Sequence, residues 1–325
     1  METRTTRRRP IRLLLLVALL FLGACSHAGW RASRLPAATA GASPPEAYPG
    51  GALLTSVDWL AAHLQDPDLR IVDMAALRDY RRGHIPGAVH LWWQDTIEVH
   101  NPTYGMLVGR EGIERLLATA GITPETRVVV YDAHGNRDAA RFLWLLHAIG
   151  FDRVSLLQGG RHAWAAAGLP LTTESPPAHS GGGLPQTINY DVLIGADEVQ
   201  QHLADPGWVV VDNRTPEEEQ VTWHGRLRRG RIPGAVSIPW TAVVEPGPLP
   251  CYRPPDALRA LFTQAGVTPD KTVVVSGLYG VRAAQTYVAL KLLGYPRVRV
   301  YDGSWAEWGA DPARPLEPLD AGGGG

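Results

Sequence analysis

Cysteine is scarce in this sequence: among 325 residues there are two, Cys25 and Cys251. A disulfide framework is therefore excluded as the main source of stability, and a core of ordinary packing must serve instead. Net charge is equally scarce, −1 over the whole chain. No basic stripe runs beyond the N-terminus, so nucleic acid is not an expected partner. The eleven histidines show no ligand spacing, with His84, His90 and His100 on separate elements, and no metal or cofactor is expected. No apolar run reaches the length of a membrane span: the one from Leu13 to Leu22 has ten residues.

What is present begins with a charged leader. Arg4, Arg7, Arg8, Arg9 and Arg12 against Glu2 give the first 25 residues a charge of +4, just ahead of that apolar run. This is the arrangement of an export signal. It ends in Leu22-Gly23-Ala24-Cys25, which resembles the bacterial lipobox, so residues 1–25 read as a lipoprotein signal with Cys25 as the lipidated residue. A plain secretory signal is the alternative. The expected location is the bacterial cell envelope, with membrane contact through lipid on Cys25. Ser26, in place of an aspartate, points to the outer membrane and its periplasmic face. Residues 26–50, rich in Ala, Ser, Pro and Gly, read as a flexible tether.

From residue 51 the pattern is α/β. β-branched runs such as Arg127–Tyr131 and Thr272–Ser276 alternate with amphipathic stretches, which predicts parallel sheets covered by helices on both faces. Thr55 and Asp58 stand at capping-box spacing for a first helix over Ser56–Leu64. The whole order then recurs. Gly83-His-Ile-Pro-Gly-Ala-Val89 is matched by Gly230-Arg-Ile-Pro-Gly-Ala-Val236, and Leu116–Val130 by Leu258–Val275. Two domains follow, 51–174 and 189–318, joined by a Pro/Ser/Gly linker at 175–188 and ending in a disordered tail at 319–325. The second copy carries eight extra residues between Asp212 and Gly230.

The stretch with the most chemical character is Gly277-Leu278-Tyr279-Gly280-Val281-Arg282, expected as a six-residue turn between a buried strand and a helix starting after Arg282. Backbone amides at such a junction make an anion site and lower the pKa of a thiol. Yet the turn holds no Cys, Ser, Thr, Asp or His. The first-domain counterpart is Asp132 to Arg137, where Asp132 is expected to cap the following helix.

The paired Gly-x-Ile-Pro-Gly-Ala-Val motifs, together with Asp302-Gly-Ser-Trp-Ala-Glu-Trp308, resemble the tandem-domain rhodanese family of thiosulfate and 3-mercaptopyruvate sulfurtransferases. The likeness covers about residues 50 to 318. It implies two α/β domains, the first non-catalytic, and a second whose loop of pattern Cys-x-x-Gly-x-[Arg/Thr] carries sulfur as a persulfide. Gly280 and Arg282 match that pattern, which places the cysteine position at Gly277; in the first domain Asp132 takes that position, with Gly135 and Arg137 matching. The family's Asp-x-Arg corresponds to Asp212-Asn213-Arg214 and implies substrate contact by Arg214.

Two readings follow from the residues. In one, the frame is kept and transfer is lost. Arg214, Arg282 and the loop amides then bind a small sulfur oxyanion, or the surface binds an envelope protein; Leu278 and Tyr279 make the mouth apolar. In the other, Cys251 transfers sulfur from outside the loop. Against oxyanion binding stands a plain structural role, with Arg214 paired to Asp212 or a nearby glutamate. Asp73 and Asp212 are expected to cap local turns, and Trp92, Trp93, Trp305 and Trp308 to fill the core and the domain interface.

Overall fold

The computed structural model describes residues 42–178, 182–183, 189–223 and 225–319. The expected signal with Cys25, most of the expected tether, most of the linker and residues 320–325 lie outside the described residues. The first domain runs β1 (Leu54–Thr55), α1 (Val57–His63), β2 (Leu69–Asp73), α2 (Leu77–Arg82) and β3 (Ala88–His90). It continues with α3 (Arg110–Ala120), β4 (Arg127–Tyr131), α4 (Arg137–Ala148), β5 (Val154–Leu157) and α5 (Gly160–Ala166). The second repeats the order as β6 (Leu193–Ile194), α6 (Ala196–Gln201), β7 (Trp208–Asp212), α7 (Pro216–Glu219) and β8 (Val236–Ser237). Then come α8 (Pro255–Gln264), β9 (Thr272–Ser276), α9 (Gly280–Leu292), β10 (Val298–Tyr301) and α10 (Ser304–Trp308).

Each domain holds a five-stranded parallel sheet of the same topology, β1-β5-β4-β2-β3 and β6-β10-β9-β7-β8. The expected architecture is therefore present. The central strands β4 and β9 are Val-rich because both their faces are covered, and Val128–Val130 and Val273–Val275 are fully buried. The registers agree as well: Asp73 pairs with Tyr131, and Asp212 with Ser276. Asp132 and Gly277 thus leave their sheets at the same place, the carboxyl edge of the central strand, where open α/β sheets put their sites.

The domains pack through α4 and α9, whose buried faces belong to one continuous core. Several polar contacts cross that packing, these among them. Arg141 Nη1 donates to Asp302 Oδ1 at 2.5 Å, Gln285 Nε2 donates to the Gly135 carbonyl at 2.8 Å, and His147 Nδ1 meets Tyr287 Oη at 2.9 Å.

Two local expectations are corrected. Ser56, not Thr55, caps α1 by accepting from Trp59 N at 3.2 Å, while Thr55 Oγ1 bonds Ser155 Oγ at 2.6 Å across the sheet. The tether also ends sooner than residue 50. Tyr48 is buried, its hydroxyl donates to the carbonyls of Tyr252 and Arg253, and Gly50 N donates to Leu292 O. An aromatic ring that buries itself with its hydroxyl satisfied stays docked, so this end of the segment belongs to the folded body.

His147 yields a pH dependence. Burial holds it largely neutral, its pKa lowered to about 4; nearby Asp152 opposes this and Lys291 adds to it. The unfolded chain therefore takes up a proton first as pH falls below about 6.5, and stability is lost between there and about 4. The unfolding free energy from denaturant titration should fall further between pH 7 and pH 4.5 for wild type than for His147→Gln, by on the order of 2 kcal/mol. Equal falls would refute the assignment.

Candidate functional site

Two loops leave the central strands and face the domain boundary. In the first, Asp132 is buried and its carboxylate accepts four backbone amides. Oδ1 takes His134 N at 2.7 Å and Asn136 N at 2.8 Å; Oδ2 takes Asp138 N at 2.8 Å and Ala139 N at 3.0 Å. The loop wraps this anion because Gly135 (φ 72°) and Asn136 (φ 63°) both adopt the left-handed region. Asn136 tolerates it by donating its side-chain amide to Leu157 O at 2.9 Å. The expected cap is present, and it fills the loop's anion cradle with the chain's own carboxylate. Arg137 pairs with Asp138 at 2.9 Å, and burial raises the pKa of Asp138 despite that partner.

The second loop starts from the same frame. Trp305 N donates to Gly277 O at 3.0 Å, as Arg161 N does to Asp132 O at 3.0 Å. Beyond that point the loops diverge, and the expected six-residue turn is not formed. Helix α9 begins at Gly280 rather than after Arg282, so only Gly277–Tyr279 connect strand and helix. The cause is Asp302: its carbonyl accepts Gly280 N at 3.0 Å, and a methyl group on Gly280 would come within 2.2 Å of its Oδ1. Gly277 N is also engaged, donating to Ser304 Oγ at 3.0 Å. Leu278 and Val281 are buried, with Leu278 O accepting from Ala306 N at 2.8 Å.

Tyr279 forms the mouth. Its ring lies between Trp93 (6.4 Å between centroids) and Trp223 (6.3 Å), with Tyr104 edge-on at 5.1 Å. Trp93 and Tyr104 come from the first domain; Trp223 comes from the eight-residue insertion of the second. Trp92 and Tyr104 are 36% and 39% exposed, so the patch reaches solvent.

The arginines depart from expectation. Arg214 is fully buried and chelated by Asp212, with Nε at 3.0 and 3.1 Å and Nη2 at 2.6 Å from its oxygens; Nη2 also donates to Gly230 O. Its guanidinium lies 4.5 Å from the Trp305 ring centroid. It is fully enclosed, and the plain pairing with Asp212 is what the structure has. Arg282 is ion-paired with Glu218 and lies 5.1 Å from the Trp240 ring, and burial lowers its pKa. Arg137 approaches the same indole at 5.9 Å. Asp73 caps its turn as expected, Oδ1 accepting Ala75 N at 2.8 Å.

Cys251 lies elsewhere. It is 3% exposed, and burial, with Glu245 adding to it, pushes its thiol up to about 11. It packs against Gly159 of the first domain, and its neighbour Pro250 packs against Gly135. The thiol is thus beside the Asp132 loop. A protonated, enclosed thiol is a poor nucleophile. Among the described residues, no three His, Cys, Asp or Glu side chains group as metal ligands.

Site residues that escaped sequence reading include Arg141, Asn213, Glu218, Trp240, Tyr104 and Trp223. Only Glu218 had a local signal, the Thr215-x-x-Glu218 capping box, and the structure forms it.

The rhodanese-like domain family matches residues 56–167 and 195–311. A thiosulfate sulfurtransferase of Azotobacter vinelandii is 37% identical over 258 residues, covering 79% of this chain and 94% of the relative. A 3-mercaptopyruvate sulfurtransferase of Escherichia coli K12 is 34% identical over 278 residues, covering 81% and 96%. The crystal structure of an Escherichia coli 3-mercaptopyruvate sulfotransferase superposes with TM-score 0.70 at 31% identity, over 78% of this chain and 98% of that one. An anaerobic ergothioneine biosynthesis enzyme from Chlorobium limicola shares the fold, with TM-score 0.73 at 23% identity over 83% and 71%.

The filled first loop makes a stability prediction. Asp132→Ala strips four backbone amides, three of them buried, of their acceptor and should destabilise the protein by about 3 kcal/mol, with Asp132→Asn in between. Denaturant unfolding measures both; a loss below about 0.5 kcal/mol for Asp132→Ala would contradict the cradle's role.

Proposed function

This chain belongs to the rhodanese family, and we propose that it is a member that does not transfer sulfur and uses its second-domain mouth to bind an envelope protein. The observation that carries this reading is Gly277 at the end of β9, the cysteine position by the family pattern, where no atom can hold a persulfide. Loss of a catalytic nucleophile removes on the order of 10⁶ in rate in a well-studied hydrolase. The other thiol of the folded body, Cys251, is enclosed and protonated. Relatives named for thiosulfate and 3-mercaptopyruvate transfer supply the ancestry of the frame, not its present chemistry.

A protein partner suits the mouth better than a small anion does. Arg214 and Arg282 already have carboxylate partners, whereas Trp92, Trp93, Tyr104, Trp223 and Tyr279 gather at one opening. Aromatic residues are enriched at protein interfaces, where their area is large and their entropy loss small. A small sulfur oxyanion is the second reading, supported by the convergence of Arg137 and Arg282 on Trp240 from two domains. Titration calorimetry with thiosulfate and sulfite separates the two. Heat that is lost in Arg282→Ala favours the anion.

Full-length wild type and Cys251→Ser, assayed for thiosulfate:cyanide and 3-mercaptopyruvate transfer, should both stay at background. Robust turnover by wild type would overturn the reading, and its loss in Cys251→Ser would identify the nucleophile. The lipid anchor is part of the same proposal. Wild type expressed in a Gram-negative host should sediment with membranes and Cys25→Ser should be released; equal release of both would refute anchoring at Cys25.

A further inference from the structure

We propose that Asn213 is the second half of the lost active site: its side-chain amide fills the space that any side chain at residue 277 would need. The inference rests on reading Gly277 as the former cysteine position, and it adds that packing, not only the missing thiol, closes the loop.

The backbone does not demand glycine there. Gly277 is not among the residues with left-handed φ, so an L-residue could adopt its conformation. What excludes a side chain is a neighbour. A methyl group on Gly277 would lie 2.6 Å from Asn213 Oδ1 and 3.7 Å from its Cγ, and the next atom, Tyr279 O, is at an ordinary 3.4 Å. One residue therefore accounts for the whole obstruction.

Asn213 cannot easily step aside. It is fully buried, and its Nδ2 donates to Arg282 O at 2.9 Å and to Thr286 Oγ1 at 3.1 Å. Because Arg282 O only accepts, the amide orientation is fixed with Oδ1 towards Gly277. The backbone is held as well, Asn213 N donating to Ser276 O and Asn213 O accepting from Trp240 N, both at 2.8 Å. Oδ1 itself has no hydrogen-bond partner, so it is placed against the glycine by the bonds of its own nitrogen.

The first domain shows that the arrangement is not a requirement of the fold. Met74 takes the place of Asn213 there, its N donating to Tyr131 O at 2.8 Å, and Asp132 carries a full side chain at the place of Gly277. Asn213 and Gly277 are a matched pair.

A double-mutant cycle in the full-length chain tests this without reference to activity. Gly277→Ala should lower the thermal midpoint by roughly 3–8 °C when Asn213 is present, the range expected of overpacking in a chain this size. In an Asn213→Ala background the same change should lower it by less than about 1 °C, so that the two substitutions are coupled. A second pair uses the thiol: peptide-resolved alkylation of residue 277 should be at least about tenfold faster in Gly277→Cys/Asn213→Ala than in Gly277→Cys alone. A chain that folds only as the double variant also supports the proposal. Equal thermal losses in both backgrounds, or equal labelling rates, overturn it. Wild-type turnover would instead refute the functional reading and leave the cycle's answer standing.

Discussion

The buried ion pair between Arg141 and Asp302 is the contact on which the second loop depends. Arg141 rises from α4 of the first domain and is wholly enclosed; Asp302 directly follows β10 of the second. A buried pair offsets the loss of hydration only when its remaining donors and acceptors are matched. Here Asp302 Oδ2 accepts Leu107 N at 2.5 Å and Arg141 Nη2 donates to Gly105 O at 3.1 Å, while the buried Arg141 Nε is left without a partner. The pair thereby draws a first-domain loop across the second domain's mouth. It seats Gly105 so close to Tyr279 that a methyl group there would lie 2.7 Å from Tyr279 Cβ. The main-chain carbonyl of the same Asp302 takes Gly280 N and starts α9 early. The loop's start and the seating of the first-domain segment at the mouth thus share one residue, Asp302.

The two loops have diverged from one frame in opposite ways. The first keeps the wrapped conformation and satisfies its amides with the carboxylate of Asp132. The second has neither a side chain at the strand end nor the wrapped conformation, with Asn213 standing where that side chain would go. On our proposal, a reactive side chain at residue 277 would also require a change at Asn213. The surrounding aromatic cluster and the two arginines from different domains fit the proposed role in contact.

Much of the fold was legible because parallel strands covered on both faces need continuous β-branched runs, and Val128–Val130 and Val273–Val275 supply them. The duplication was legible because glycine-bearing turns recur in order. The position of Gly277 could be read from Gly280 and Arg282, and the cap at Asp132 from its place before a helix. The loop's true shape could not, since the residue that shortens it, Asp302, lies 22 positions beyond Gly280 and acts through its main chain. Nor could the fate of Arg214: local pattern permits either substrate contact or a pair with Asp212, and only burial decides. Arg141 and Tyr48 make their contacts more than 150 residues away, where no local signal exists.

The central claim is that this rhodanese frame no longer carries sulfur. Its most direct test is the intact mass of the full-length protein after incubation with excess thiosulfate or 3-mercaptopyruvate and removal of the donor. The account predicts an unchanged mass with either donor. A stoichiometric gain of one sulfur atom, mapped to any residue of the folded domains, would contradict it.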